Sequence, residues 1–167
     1  MPIRPATSAD LDTIIELVHA LAEYEREPEA VVLDREEFAQ HLFGPHPFAE
    51  VLMAETNEGQ SAGFALFFHN FSTWTGKPGI WLEDLFVRVE HRGLGFGRTL
   101  LAELARLAVQ RGCGRLEWSV LDWNEPSIGF YRALGARPMD EWTTFRLTGE
   151  ALTDLARSFS TSFSKGP

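Results

Sequence analysis

Between residues 92 and 98 the chain reads Arg92-Gly93-Leu94-Gly95-Phe96-Gly97-Arg98, with an apolar, strand-like stretch before it and an amphipathic helical pattern after it. No other segment constrains the fold as tightly. Three glycines in five positions let the backbone approach a ligand closely, and a helix starting there aims its unpaired N–H groups and the positive end of its dipole back at the loop. Such an arrangement holds phosphate. It also restricts topology. A strand, a tight loop and a helix that must return to the sheet form a right-handed parallel crossover, with the loop at the C-terminal end of its strand.

The kind of phosphate follows from what the loop lacks. A nucleoside-triphosphate loop ends in Gly-Lys-Ser/Thr, and this run has neither that lysine nor that spacing. A dinucleotide fingerprint needs a glycine where Arg98 stands, and it opens an early βαβ unit rather than lying at mid-chain. The pattern that remains is Arg/Gln-x-x-Gly-x-Gly/Ala, met by Arg92, Gly95 and Gly97. It resembles the pyrophosphate-binding loop of the GNAT N-acetyltransferases. A plain tight turn before a helix stays open as the alternative on the loop alone.

A chain of 167 residues with 44% hydrophobic content is long enough for one domain with a real core. Its formal charge of −9, from 15 basic and 24 acidic residues, argues against a nucleic-acid partner, because phosphate backbones are held mainly by Lys and Arg. Arg88, His91, Arg92 and Arg98 nevertheless make the loop region locally basic. There is no apolar run of about 18 residues and no leader-like pattern, so no membrane association and a cytoplasmic location are expected. The single Cys113 sits in Gly112-Cys113-Gly114, read as a helix-to-strand turn, and the histidines show no ligand spacing, so no metal is expected.

Periodicity gives the order β-α-α-β-β-β-α-β-α-β: a mixed α/β domain, its sheet largely antiparallel, with one parallel crossover and helices on both faces. Ile3 to Ala6 reads as a strand, and Thr7 or Ser8 as the cap of a helix that ends before Pro28. Asp34 opens a second helix. Strands follow at roughly 49–56, 61–71 and 80–89, then a helix over 95–111 and a strand over 115–121. Asn124 caps another helix that Gly135 ends. A strand-rich stretch to Leu147, a short helix from Gly149 to Ser158 and a frayed tail over 159–167 complete the single domain at 1–158.

Three segments carry a wider resemblance: Trp81-Leu82-Glu83-Asp84-Leu85-Phe86-Val87, the glycine loop, and Leu121-Asp122-Trp123-Asn124-Glu125-Pro126-Ser127 running on to Tyr131. With Ile3-Arg4-Pro5-Ala6-Thr7, Tyr24-Glu25 and Phe43-Gly44-Pro45-His46-Pro47-Phe48, they resemble the diamine and thialysine acetyltransferase subfamily of the GNAT enzymes over nearly the whole chain. The resemblance implies a GNAT fold and acetyl transfer from acetyl-CoA to a small amine in a ternary complex. It assigns Leu85, Phe86 and Val87 to the strand that pairs with the pantetheine arm, Arg92 through Arg98 (Arg92, Gly93, Leu94, Gly95, Phe96, Gly97, Arg98) to the pyrophosphate, and Asn124, Glu125, Pro126 and Ser127 to a further cofactor contact. Tyr131 matches the general acid that supplies a proton to the departing thiolate.

The attacking amine must lose a proton, since an alkyl ammonium has a pKa near 10.4. Glu83 matches the carboxylate that accepts it, directly or through water. Strand alternation is expected to put Glu83 and Asp84 on opposite faces, which favours Glu83. Tyr24, Glu25, Glu83, Asp84, Trp74, Glu117, Trp118 and Ser119 are the expected amine-binding residues, and their carboxylates select a cation. Polyamine members carry Asp-Pro where this chain has Ser72-Thr73, and a glutamate where Thr143 stands, although Glu141 lies close by. A lysine-like, thialysine-type acceptor is therefore expected ahead of a polyamine. A protein or peptide acceptor and a noncatalytic acetyl-CoA-binding module are the remaining alternatives. The resemblance further implies a homodimer in which residues of the Trp74 loop reach toward the partner's site.

Overall fold

The computed structural model describes the backbone of residues 1–163 and the side chains of residues 1–158. By its internal contacts the chain forms two compact units, Met1–Ser119 and a second beginning at Val120.

The first unit is built on β1 (Ile3–Pro5), α1 (Leu11–Tyr24), α2 (Arg35–Phe43), β2 (Glu50–Glu55), β3 (Ser61–Ser72), β4 (Lys77–Val87), α3 (Phe96–Gln110) and β5 (Leu116–Trp118). Its five strands pair in the order β1-β2-β3-β4-β5. Every pair is antiparallel except β4 with β5, which is parallel. That is the mixed sheet with one crossover expected from the sequence. The local signals acted as anticipated. Thr7 forms a capping box with Asp10 around a single 3-10 turn that leads into α1, and the Asp34 side chain accepts from the amides of Glu36 and Glu37 at the start of α2. Arg4 ties β1 to that first turn by pairing with Asp10 at 2.7 Å, and it also reaches Glu55 of β2.

Cross-strand register divides the buried residues between two faces, because directly opposed residues share a face of the sheet. On one face Val51 stands opposite Leu66, Met53 opposite Phe64 and Phe64 opposite Phe86, and these pack with Ile14 and Leu17 of α1 and Leu42 of α2. On the other, Leu52 stands opposite Ala65 and Phe67 opposite Leu82, while α3 turns Leu100, Leu101 and Leu104 inward. Phe64 and Phe67 are both fully buried. They anchor opposite faces, each stabilising the fold by roughly 2–3 kcal/mol.

The α1 helix ends in a Schellman motif: the Arg26 amide donates to the Glu23 carbonyl and the Glu27 amide to that of Ala22. The residue in the left-handed position is Arg26, at φ 67°. Helix α3 closes similarly, with Gly112 at φ 68° and the Cys113 amide bonded to the Ala108 carbonyl, so the expected turn around Cys113 is present.

The second unit contains α4 (Glu125–Ala133) and α5 (Gly149–Phe163). Asn124 caps α4 by accepting from the Ser127 amide, with Pro126 in the first turn, and Gly135 follows at φ 88°. The strand-rich stretch expected up to Leu147 is not formed. Pro138 lacks an amide donor, and the Trp142 amide bonds the Met139 carbonyl to make a turn around Asp140-Glu141, which interrupts the alternation that suggested a strand. The end of the expected frayed tail, 164–167, lies outside the described residues. Among the described residues no helix is long and apolar enough to cross a membrane.

Candidate active site

The glycine loop lies between β4 and α3, at the C-terminal end of β4, as the crossover requires. Gly93 and Gly95 have φ values of 75° and 93°, a region that side-chain-bearing residues enter at a cost of about 1–2 kcal/mol. Gly95 is the residue preceding α3, and it offers no side-chain cap. The first-turn amides of Phe96, Gly97 and Arg98 thus have no side-chain acceptor among the described residues, at the positive end of a helix dipole. Phe96 is buried and anchors that turn, with its ring against His91 at 5.8 Å. Leu94 is exposed at the tip. Arg92 and Arg98 have no carboxylate partner among the described residues, whereas Arg88 is paired with Glu16. The uncapped first turn of α3, the Arg98 guanidinium and the left-handed glycines together fit an anionic diphosphate.

Beside the loop, β4 presents a free edge. Its parallel partner β5 covers only Ile80 to Leu82, so no strand among the described residues flanks Glu83 through Val87 on that side. β3 pairs with the other side throughout. The stretch Leu85 to Val87 therefore combines packed side chains with an edge open to an extended ligand, apart from the Val87 carbonyl, which accepts from Arg92 Nε at 3.1 Å.

The carboxylates sit where β4 is irregular. Leu66 stands opposite Asp84 but Phe67 stands opposite Leu82, leaving Glu83 as the extra residue of a bulge. The bulge shifts the phase of the strand. Upstream of it Ile80 and Leu82 point to the α3 side; downstream Asp84 and Phe86 share the α1 side with Leu66 and Phe64. The alternation argument that separated Glu83 from Asp84 therefore fails, because it presumes an uninterrupted period of two.

Asp84 is mostly shielded from solvent and accepts no hydrogen bond among the described residues. Burial raises its pKa to about 6, and the neighbouring charges of Glu83 and then Glu25 push in the same direction. Glu25, at the end of α1, is itself raised by burial. The charges of Glu83 and Glu25 thus both bear on Asp84. Glu83 is the exposed member, its Oε2 accepting from Trp81 Nε1 at 2.9 Å. Sequence reasoning missed Trp81. Its only signal is the two-residue spacing to Glu83 on a strand. Tyr24 packs against the α1-side core, and the Arg92 guanidinium lies 4.5 Å from its ring centroid.

Other expected amine-binding residues are placed differently. Glu117 is engaged by Arg115 at 2.7 Å and by Asn70 Nδ2 at 2.8 Å, a structural arrangement on the β5 edge. Trp118 stands beside Leu82, with Ser119 following it. Trp74 is in the β3–β4 turn, 88% exposed. Asp84 lies seven strand steps from Lys77, a span of roughly 20 Å along β4. In the second unit Asn124, Glu125, Pro126 and Ser127 form the start of α4, and Tyr131 lies on the same helix with its ring 5.4 Å from that of Phe130.

The sequence profile of the acetyltransferase (GNAT) family matches residues 13–136. A thialysine N-epsilon-acetyltransferase of Sus scrofa is 37% identical, the match covering 92% of this chain and 96% of that protein. An L-ornithine N5-acetyltransferase of Arabidopsis thaliana is 33% identical over 90% of this chain and 85% of its own. Among solved structures, an integron cassette protein from the mobile metagenome of V. cholerae superposes with a TM-score of 0.77 at 27% identity, covering 93% of this chain and 97% of that one.

Proposed function

Because the chain belongs to the acetyltransferase (GNAT) family, we propose that it transfers the acetyl group of acetyl-CoA to the side-chain amine of a small, lysine-like amino acid of the thialysine type. The observation that carries this reading is the convergence, at one end of β4, of a phosphate-ready amide loop and a group of carboxylates of which Asp84 is mostly shielded from solvent. A noncatalytic acetyl-CoA module has no need of the second feature. The family profile runs from 13 to 136, which supports treating 1–158 as a single functional domain.

In this proposal acetyl-CoA supplies an acyl group activated as a thioester. The residues of the chain do the rest. The main-chain amides of Gly93 through Arg98, with Arg92 opening the loop, hold the diphosphate, and the open edge at Leu85, Phe86 and Val87 aligns the pantetheine arm. Asn124 through Ser127 are assigned to the cofactor on the resemblance. Glu25 and Asp84 form the anionic wall that draws in the ammonium, with Tyr24 beside them. Glu83 accepts the proton that the amine must lose, and Tyr131 is assigned on the resemblance to supply one to the departing thiolate.

Relatives named for acetylation of thialysine and of ornithine both support an amino acid acceptor with a terminal amine. Ser72 and Thr73 in place of the Asp-Pro pair of polyamine members point the same way, since a charged hydrogen bond lost weakens a polycation by about 1.5–3 kcal/mol. The resemblance also supports a homodimer in which Trp74 serves the partner's site. Sedimentation analysis tests the assembly.

The test of the activity is thiol release from acetyl-CoA with thialysine, lysine, ornithine and spermidine, with products identified by mass spectrometry. The proposal expects the highest kcat/KM for an amino acid acceptor. Spermidine exceeding thialysine would overturn the acceptor assignment.

A further inference from the structure

The Arg92 side chain reaches back from the loop that it opens. Its Nε donates to the Val87 carbonyl at 3.1 Å, and its guanidinium carbon lies 4.5 Å from the Tyr24 ring centroid and 5.6 Å from that of Phe86. With no carboxylate partner among the described residues, the cation is held by two aromatic rings and one carbonyl. Arg98, exposed on the first turn of α3, has no such tether among the described residues and stays free to meet an anion. The two arginines that the sequence assigns to one role therefore occupy different settings.

Tyr24 is the last residue of α1 and Glu25 follows it directly, in the turn fixed by the Schellman motif. The charge of Glu25 is felt by Asp84 on β4. A clamp on Tyr24 is thus a clamp on the spacing of those two carboxylates. We infer that Arg92 is a positioning residue for the amine side of the site: it pins Tyr24 to the end of β4, sets Glu25 against Asp84, and couples the glycine loop to amine binding. This rests on the function proposed above and gives Arg92 a task beyond holding the diphosphate. The route is short, since fixing the backbone from Gly93 onward also fixes the base of the Arg92 side chain. Disturbing Arg92 releases Tyr24 and loosens the site for the amine.

Arg92→Lys separates this role from simple charge. Lysine keeps the cation, but it lacks the planar fork that stacks on Tyr24 while bonding Val87. The measurements are KM for thialysine and KM for acetyl-CoA in wild type, Arg92→Lys, Tyr24→Leu and the double variant. Arg92→Lys is expected to raise the amine KM roughly three- to tenfold, the scale of a lost cation–π contact and hydrogen bond, and by a larger factor than it raises the acetyl-CoA KM. Tyr24→Leu raises the amine KM too, and adding Arg92→Lys to it brings no further increase. Tyr24→Phe, which keeps the ring, leaves the Arg92→Lys effect intact. A defect confined to acetyl-CoA KM, or multiplicative effects in the double variant, overturns the inference. A wild-type protein that transfers no acetyl group overturns the functional reading itself, and that result is seen before any variant is compared.

Discussion

Leu66 of β3 stands directly opposite Asp84 of β4, yet its neighbour Phe67 stands opposite Leu82, so one residue of β4, Glu83, has no counterpart. That slip brings a carboxylate onto the same face as Phe64, Phe86 and α1. Without it Asp84 would lie with Leu82 on the α3 side of the sheet. The bulge thereby gives the strand an ionisable group in a setting that resists its charge.

The cost of that setting is measurable. Asp84 has a pKa of about 6 in the folded protein, above the ordinary carboxylate value, so the folded state binds its proton more tightly than the unfolded one. Its contribution is fully favourable below about pH 4 and is lost as pH rises through about 6. Asp84→Asn is expected to stabilise the protein by up to about 3 kcal/mol at pH 8, with the difference shrinking toward zero at pH 4. Urea denaturation of both proteins across that range checks it.

Substrate binding should show the opposite preference. An ammonium needs Asp84 ionised, so kcat/KM for the amine is expected to fall as pH drops below about 6. In Asp84→Asn the amine KM rises at least about tenfold, as expected for a lost charged hydrogen bond, while acetyl-CoA affinity stays within about twofold. Steady-state kinetics over pH 5–8 with both substrates varied separates the two effects.

Much of this was legible in the sequence because it depends on local chemistry. Asp34 and Asn124 cap helices through their own side chains, Gly135 ends one at positive φ, and the loop glycines sit where the crossover needs them. The bulge was not legible, since register is set by pairing with β3, and the adjacent Glu83 and Asp84 are compatible with either phase. Nor was the fate of Glu117. Its carboxylate is taken up by Asn70, 47 positions away along the chain, as well as by nearby Arg115. The unformed strand before Leu147 shows the same limit, because alternation in a sequence does not supply a strand to pair with.

Arg26 offers a stability test away from the chemistry. It occupies the left-handed position of the α1 Schellman motif at φ 67°, where a side chain costs about 1–2 kcal/mol relative to glycine. Part of that is offset by the greater freedom of glycine in the unfolded chain and by loss of the interactions of the arginine side chain, so Arg26→Gly is expected to add at most about 1 kcal/mol, read as a higher Tm.

Tyr131→Phe removes only a hydroxyl from α4. If that hydroxyl supplies the proton to the departing thiolate, turnover falls at least about tenfold while acetyl-CoA affinity is retained. Unchanged turnover would remove Tyr131 from the mechanism.

The loop carries the central claim, and calorimetric titration of acetyl-CoA into the wild-type protein and Gly95→Ala tests it most directly. Alanine at φ 93° is strained by about 1–2 kcal/mol, so the backbone must shift and misalign the first-turn amides. The expected result is saturable one-to-one binding by wild type, weakened at least about tenfold in Gly95→Ala without loss of the fold. Absence of acetyl-CoA binding by wild type, or equal affinity in the two proteins, would contradict the assignment of this loop.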